Sequence, residues 1–165
     1  MEILAKENIS TNPIDQFRQW FEEAMKCEAI AMAEAMCLST VSEDGFPEGR
    51  MVLLKGDYSD GFVFYTNMNS PKAKSLYKNS KAEMTFYWNP LGRQIRIQGT
   101  VQVISDQEAD AYFLSRPRFN QIGAWASDQS AVLDNRVILD EKFEEYDEKF
   151  KDREVPRPPH WSGFR

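Results

Sequence analysis

Arg50-Met51-Val52-Leu53-Leu54-Lys55 sets four apolar residues between two cations, and Phe62-Val63-Phe64-Tyr65-Thr66-Asn67 follows after a short turn. Short apolar runs that a turn signal separates predict neighbouring antiparallel strands. A strand that brings fixed positive charge to the edge of an apolar sheet suits a flat, anionic, aromatic ligand. The two runs therefore predict a sheet that binds such a ligand, and phosphorylated cofactors fit this description.

The rest of the chain alternates short strand signals with a few helix signals. Strands are predicted over residues 36–41, 49–56, 62–66, 83–88 and 94–104, with the start of another over 161–165. Turns are predicted at Ser42–Gly45, Tyr58–Gly61 and Asn89–Gly92. Helices are predicted from Pro13 onward, over 70–79, from Ser105 to before Pro117, within 121–130 and over 136–151. This order predicts a mainly β protein with peripheral helices, built as an antiparallel β-barrel.

Length and composition narrow the class of protein. The 165 residues predict one domain, 1–165, with residues 1–11 as a loose leader. A net charge of −6 disfavours nucleic-acid binding, which needs a broad basic surface. The only cysteines, Cys27 and Cys37, fit neither a metal motif nor a disulfide framework. We therefore expect no metal site, and we expect the protein to work in the reducing cytoplasm. No secretory signal and no apolar run long enough for a membrane span are visible.

Cations recur where a phosphate could bind. Arg50 and Lys55 lie at opposite ends of one strand and point to opposite faces, so they would serve neighbouring anions. Lys72 lies in the first turn of the helix that Ser70 is predicted to cap, where free backbone N–H groups favour anions. Solvated charges at strand ends and ordinary surface lysines remain the alternative reading of all three cations.

Two polar groups extend this pattern. Tyr112, Arg116 and Asn120 are spaced i, i+4 and i+8, which would align a phenol, a guanidinium and an amide on one helical face as a phosphate clamp. Pro117 interrupts that helix, so a plain helix end near Arg116 stays open. The second group, which could contact the polar edge of a ring, is Gln94, Gln129 and Ser130.

Residues for acid–base or nucleophilic catalysis are sparse. The single histidine, His160, stands between a proline and Trp161 and is interpreted as structural or exposed. Neither a dinucleotide-binding glycine motif nor a P-loop is present. The chain thus offers several candidate anion-binding positions but few candidate catalytic side chains. This combination indicates that a bound cofactor performs the reaction.

These segments, in this order, resemble the pyridoxamine 5'-phosphate oxidase family from about residue 38 to the end. The matching motifs are Arg50-Met51-Val52-Leu53-Leu54-Lys55, Phe64-Tyr65-Thr66-Asn67, Tyr87-Trp88, Arg93-Gln94, Tyr112-Phe113-Leu114-Ser115-Arg116-Pro117-Arg118, Gln121-Ile122-Gly123-Ala124-Trp125, Gln129-Ser130, Val155-Pro156 and Trp161-Ser162-Gly163-Phe164.

The resemblance implies a homodimeric FMN-binding split barrel with the flavin at the subunit interface. It implies oxidation of pyridoxamine or pyridoxine 5'-phosphate to pyridoxal 5'-phosphate, with O2 as electron acceptor. Carried over by position, the FMN contacts are Arg50, Met51, Val52, Leu53, Leu54, Lys55, Tyr65, Thr66, Lys72, Gln94, Gln129 and Ser130. The contacts to the substrate phosphate are Lys55, Tyr112, Arg116 and Asn120.

The chain also departs from the family pattern. Pro71 stands where the family usually has an arginine, and Asn120 replaces a usual serine. The family's C-terminal strands and its N-terminal arginine-tyrosine segment are expected to be missing. These departures leave two alternatives to the oxidase: a flavin-binding split-barrel protein without this activity, and a dimeric non-enzymatic relative.

Overall fold

The computed structural model describes residues 9–56 and 60–165 of the chain, and within them the strands form two antiparallel sheets. The four-stranded sheet has the order β2-β1-β4-β5 and the two-stranded sheet pairs β3 with β6. The strands are β1 (Ala35–Val41), β2 (Pro47–Leu53), β3 (Phe64–Asn67), β4 (Lys81–Trp88), β5 (Arg93–Thr100) and β6 (Trp161–Phe164).

Helices surround these sheets, and three of them begin at a residue whose side chain accepts a hydrogen bond from the first turn. They are α1 (Pro13–Lys26), α2 (Pro71–Lys78), α3 (Asp106–Ser115), α4 (Arg118–Ala126) and α5 (Arg136–Lys149). Asn12 Oδ1 accepts from Ile14 N at 2.9 Å, and Ser105 Oγ accepts from Glu108 N at 3.2 Å. Ser70 occupies the cap position of α2, but its side chain makes no capping hydrogen bond.

The main core lies on the inner face of the four-stranded sheet, against α1. Strand alternation turns Leu38, Phe86 and Trp88 inward, and each is at most 2% exposed. Phe17 of α1 packs on Phe86 with ring centroids 5.4 Å apart. A second cluster joins α3 and α4 to the start of β6 through Phe113, Ile122 and Trp161. In the described part of the chain, no helix is long and apolar enough to cross a membrane.

Several predicted boundaries were wrong. The strand predicted over 94–104 ends at Thr100, and the one predicted from Phe62 begins at Phe64. The helix placed within 121–130 begins at Arg118. The turn predicted at Asn89–Gly92 is confirmed, as a 3₁₀ helix over Asn89–Leu91 that ends at Gly92. Tyr58 and Ser59 of the predicted turn, and residues 1–8 of the predicted leader, lie outside the described residues.

A closed barrel, the second part of the fold prediction, is not seen in the described residues. Between the two sheets, the backbone pairing in the described residues consists of the isolated bridges Lys55–Val63 and Val103–Phe164. Within 9–56 and 60–165, β2 and β5 are both edges of the larger sheet, so the strand ring does not close. The observed architecture is therefore antiparallel sheets with peripheral helices.

Candidate functional site

A cavity of about 860 Å³ opens between β2, β3, the first turn of α2 and the α3–α4 junction. Its volume lies within the range typical of small-molecule sites. Its lining residues are Glu48, Arg50, Met51, Val52, Leu53, Lys55, Tyr65, Thr66, Asn67, Pro71, Lys72, Tyr112, Arg116, Phe119, Asn120, Gly123, Ala124, Ser127, Gln129, Ser130, His160 and Trp161.

Arg50 is a fixed cation on the β2 wall. Its Nη1 donates to Thr40 Oγ1 at 2.7 Å, to Glu48 O at 2.9 Å and to Leu38 O at 3.3 Å. Its Nη2 donates to Glu48 Oε2 at 2.8 Å. These bonds hold the guanidinium in one place, so Arg50 offers a ligand a positioned charge.

Lys72 is a buried cation beside the first turn of α2. Its side chain is 6% exposed, and its Nζ donates to Thr66 Oγ1 at 3.2 Å. Burial, and secondarily the charge of Arg50, lowers the pKa of Lys72 below its ordinary value. An anion placed here would relieve both effects and would also meet the positive end of the α2 dipole.

Arg116 is a partly buried cation that faces aromatic rings. Its Cζ lies 4.8 Å from the ring centroid of Trp161, and its Nη1 has no hydrogen-bond partner in the described part of the chain. Burial lowers the pKa of Arg116, although neighbouring Tyr112 opposes this. Leaving a buried guanidinium nitrogen without an acceptor costs free energy, and a bound anion would recover it. Arg116 is therefore a strong candidate for anion binding.

Three parallel rings extend from Arg116 into the cavity. Tyr65 stacks on Tyr112 with centroids 4.0 Å apart and on Trp161 with centroids 5.0 Å apart. Burial, followed by the charge of Glu108, raises the pKa of Tyr65 to about 12. The phenol therefore stays neutral near pH 7 and adds no negative charge to the cavity.

The loop after α4 supplies amide and hydroxyl groups. Gln129 Oε1 accepts from Asn67 N at 3.1 Å, which ties this loop to the end of β3. Ser130 has a φ of +69°, a left-handed backbone that side-chain-bearing residues seldom adopt. Both residues line the cavity, as does exposed Asn120.

Most of the predicted site residues meet in this cavity, but Leu54 and Gln94 do not. Leu54 is 2% exposed in the core, and its backbone N donates to Glu34 O at 2.9 Å. Gln94 lies on β5, at the far edge of the four-stranded sheet from β2, and is exposed on the outer face. Three strand spacings separate those edges, roughly 14 Å along the sheet, and Gln94 does not line the cavity of its own chain.

The single helical face predicted for Tyr112, Arg116 and Asn120 was wrong. Helix α3 ends at Ser115, Arg116 is its C-cap, and Asn120 belongs to α4. The chain turns at Pro117, as proline favours, because a proline ring does not continue a helix. The three residues still line the same cavity, since the turn folds α4 back towards α3.

Sequence reasoning missed several lining residues, including Glu48, Phe119 and His160. His160 was interpreted as structural or exposed, yet it is half-buried in the wall with Nε2 3.1 Å from Ala124 O. Glu48 could have been found, because it lies two residues before Arg50 on the same side of a strand. His160 carried no comparable signal, since its position depends on the distant pairing of β3 and β6.

A sequence profile of the pyridoxamine 5'-phosphate oxidase family matches residues 21–150. A pyridoxine/pyridoxamine 5'-phosphate oxidase of Acaryochloris marina is 48% identical over 164 residues, covering 99% of this chain and 74% of the relative. The Bos taurus pyridoxine-5'-phosphate oxidase is 48% identical over 155 residues, covering 94% of this chain and 59% of the relative. The Bartonella quintana relative is 51% identical over 153 residues, covering 93% of this chain and 73% of its own.

Solved structures share the fold. PhzG of Burkholderia lata, crystallised with tetrahydrophenazine-1-carboxylic acid, superposes with a TM-score of 0.90 at 25% identity, covering 100% of this chain and 81% of its own. An FMN-binding protein of Nostoc punctiforme related to pyridoxamine 5'-phosphate oxidase gives a TM-score of 0.70 at 19% identity, covering 94% and 81%.

Proposed function

The chain belongs to the pyridoxamine 5'-phosphate oxidase family, and we propose that it catalyses the FMN-dependent oxidation of pyridoxamine or pyridoxine 5'-phosphate to pyridoxal 5'-phosphate with O2. The observation that carries the proposal is one cavity that gathers the cations Arg50, Lys55, Lys72 and Arg116. Two phosphorylated ligands need more than one anion-binding position. These cations lie on three parts of the cavity wall: β2 with the segment after it, the first turn of α2, and the end of α3.

The cavity residues fit FMN. We assign its phosphate to the region of Arg50 and Lys72, because the buried Lys72 amine has one neutral acceptor, Thr66 Oγ1. Leu54 supports this wall from the core. We assign contact with the rest of FMN to residues on β2, β3 and the loop after α4, which are Met51, Val52, Leu53, Lys55, Tyr65, Thr66, Gln129 and Ser130.

The substrate phosphate is assigned to Lys55, Tyr112, Arg116 and Asn120. The unpaired Nη1 of Arg116 gives this assignment its clearest support, since a phosphate oxygen would satisfy it. Stacking of Tyr65, Tyr112 and Trp161 fixes the wall that carries the clamp. Arg116 is held over Trp161 and needs little reorganisation to bind.

When bound, FMN would supply the acceptor for the two electrons and hydrogen that leave the substrate, with O2 as the final acceptor. The protein's own residues hold and orient the reactants. Glu48 is engaged with Arg50, and His160 Nε2 lies within hydrogen-bond distance of a backbone carbonyl, so we assign neither a proton-transfer role. Positioning is therefore the main catalytic contribution that we assign to this chain.

We further propose that the chain works as a homodimer and that the two sheets are parts of an FMN-binding split barrel. Support comes from the outer face of the larger sheet, where Met51 is 65% and Tyr87 66% exposed. Gln94 lies on that face, so it would reach FMN in the cavity of a second copy. Sedimentation at twice the chain mass is the expected result, and a monomer at micromolar concentration would contradict it.

The remaining assignments concern organisation and location. We propose that residues 1–165 act as one domain and that the protein works in the cytoplasm. Cys27 and Cys37 are both free, which fits a reducing compartment.

Aerobic turnover tests the proposed reaction. The FMN-loaded protein should convert pyridoxamine 5'-phosphate to an aldehyde and produce hydrogen peroxide. Flavin binding without aldehyde would refute the oxidase and favour the flavin-binding alternative. A protein that purifies colourless and binds no flavin would favour the non-enzymatic alternative.

A further inference from the structure

We propose that Glu34 is an internal counter-ion that competes with a ligand phosphate for Lys55, and so lowers the affinity of the cavity for phosphorylated ligands. The identity of those ligands rests on the proposed function. The relevant contact is an ion pair between Lys55 Nζ and Glu34 Oε1 at 3.4 Å.

Backbone pairing places Glu34 beside Lys55. Glu34 precedes β1, and its carbonyl accepts from the backbone N of Leu54, just past the end of β2. Lys55 continues into the bridge with Val63. The backbone pairing thus places the Glu34 carboxylate next to Lys55. Lys55 lines the cavity, whereas Glu34 does not.

This pair differs from the Arg50–Glu48 pair on the same strand. Arg50 is held by Thr40 and by two backbone carbonyls as well as by Glu48, so losing the carboxylate would not release it. Lys55 has a flexible stem, and the Lys55 and Glu34 side chains are 29% and 26% exposed. A partly exposed ion pair between two flexible side chains is only weakly stabilising, because solvent and salt screen it.

A phosphate monoester carries up to two negative charges, so it can take Lys55 from a single carboxylate. Arg116 and Tyr112 line the same cavity and would hold the phosphate together with Lys55. A phosphate at Lys55 competes with Glu34 for the ammonium charge and its N–H donors, and this cost falls on the phosphate alone. The ring of the ligand should not sense Glu34.

The test compares Glu34→Gln with wild-type protein by calorimetric titration of pyridoxal 5'-phosphate and of unphosphorylated pyridoxal. The dissociation constant of the phosphate ester should fall about two- to fivefold, in keeping with a partly exposed ion pair. Pyridoxal binding should not change. KM for pyridoxamine 5'-phosphate should fall in the same proportion while kcat stays close to wild type. Glu144→Gln, the same charge change on exposed α5, should alter none of these.

An unchanged or weaker affinity in Glu34→Gln would overturn the proposal, because Glu34 would then be neutral or would position Lys55 for the ligand. Tighter phosphate binding without aldehyde formation would refute the oxidase but support the role of Glu34. If neither protein binds pyridoxal 5'-phosphate or inorganic phosphate, both proposals fail.

Discussion

The apolar core and the ligand cavity are neighbouring regions of the same fold, and they are built in opposite ways. In the core, Phe17, Phe86 and Trp88 pack ring against ring, and almost no surface remains exposed. In the cavity, Lys72 and Arg116 are cations removed from water with few acceptors. The first arrangement stabilises the fold, whereas the second costs stability until an anion arrives. The difference predicts that mutations in the two regions will separate stability from binding.

The largest effect should come from the core. Phe86→Ala removes a ring that is fully buried and leaves a cavity beneath the sheet. We expect the free energy of unfolding to fall by about 3–5 kcal/mol, measured by urea denaturation. Phe46→Ala, at a side chain that is 65% exposed, is the matched control and should change it little. A small loss in Phe86→Ala would show that the core is loosely packed.

Lys72→Met, which replaces a buried amine by an apolar side chain of similar length, should have the opposite pattern to Phe86→Ala. It should weaken binding without lowering stability. FMN binding should weaken by about 1.5–3 kcal/mol, the usual contribution of a hydrogen bond to a charged group. The free energy of unfolding of the ligand-free protein should be unchanged or higher, because the desolvated charge is gone. Fluorescence titration and urea denaturation measure the two quantities.

Lys74→Met provides the control for Lys72, since it lies on the exposed side of the same helix. It should leave FMN affinity near the wild-type value. Equal losses in the two variants would mean that only the overall charge matters, and the contrast between core and cavity would lose its basis.

The smallest effect should come from Glu83 on the outer face of the four-stranded sheet, which belongs to neither region. Glu83 accepts from Arg96 and Gln98, and these hydrogen bonds lower its pKa to about 2. Its contribution to stability is therefore present above about pH 4.5 and is lost as pH falls towards 2. The melting temperature of Glu83→Gln should lie slightly below wild type at pH 6 and converge with it near pH 2. A constant difference across this range would contradict the assignment.

Local signals were enough to predict much of the fold. The strand over 83–88 and the helices predicted from Pro13 and from Ser105 depend on residues close in sequence, and the structure confirms all three. The pairing of β3 with β6 joins residues about 100 positions apart, which no local pattern encodes. The prediction of a closed barrel depended on such long-range pairings.

The candidate site shows the same limit. Arg50 and Lys72 were found because strand and helix signals surround them, and both line the cavity. Tyr112, Arg116 and Asn120 line it too, but through a chain reversal at Pro117 and not along the one helix predicted for them. Gln94 lies on the opposite edge of the sheet, and only an assembly of two copies would bring it to a cavity.

Titration of FMN into the flavin-free protein, followed by quenching of flavin fluorescence, tests the central claim most directly. We predict saturable binding of one FMN per chain, weakened at least tenfold in Lys72→Met and unaffected in Lys74→Met. Absence of quenching in the wild-type protein, or equal affinity in all three proteins, would contradict the claim that these buried cations form a flavin phosphate site.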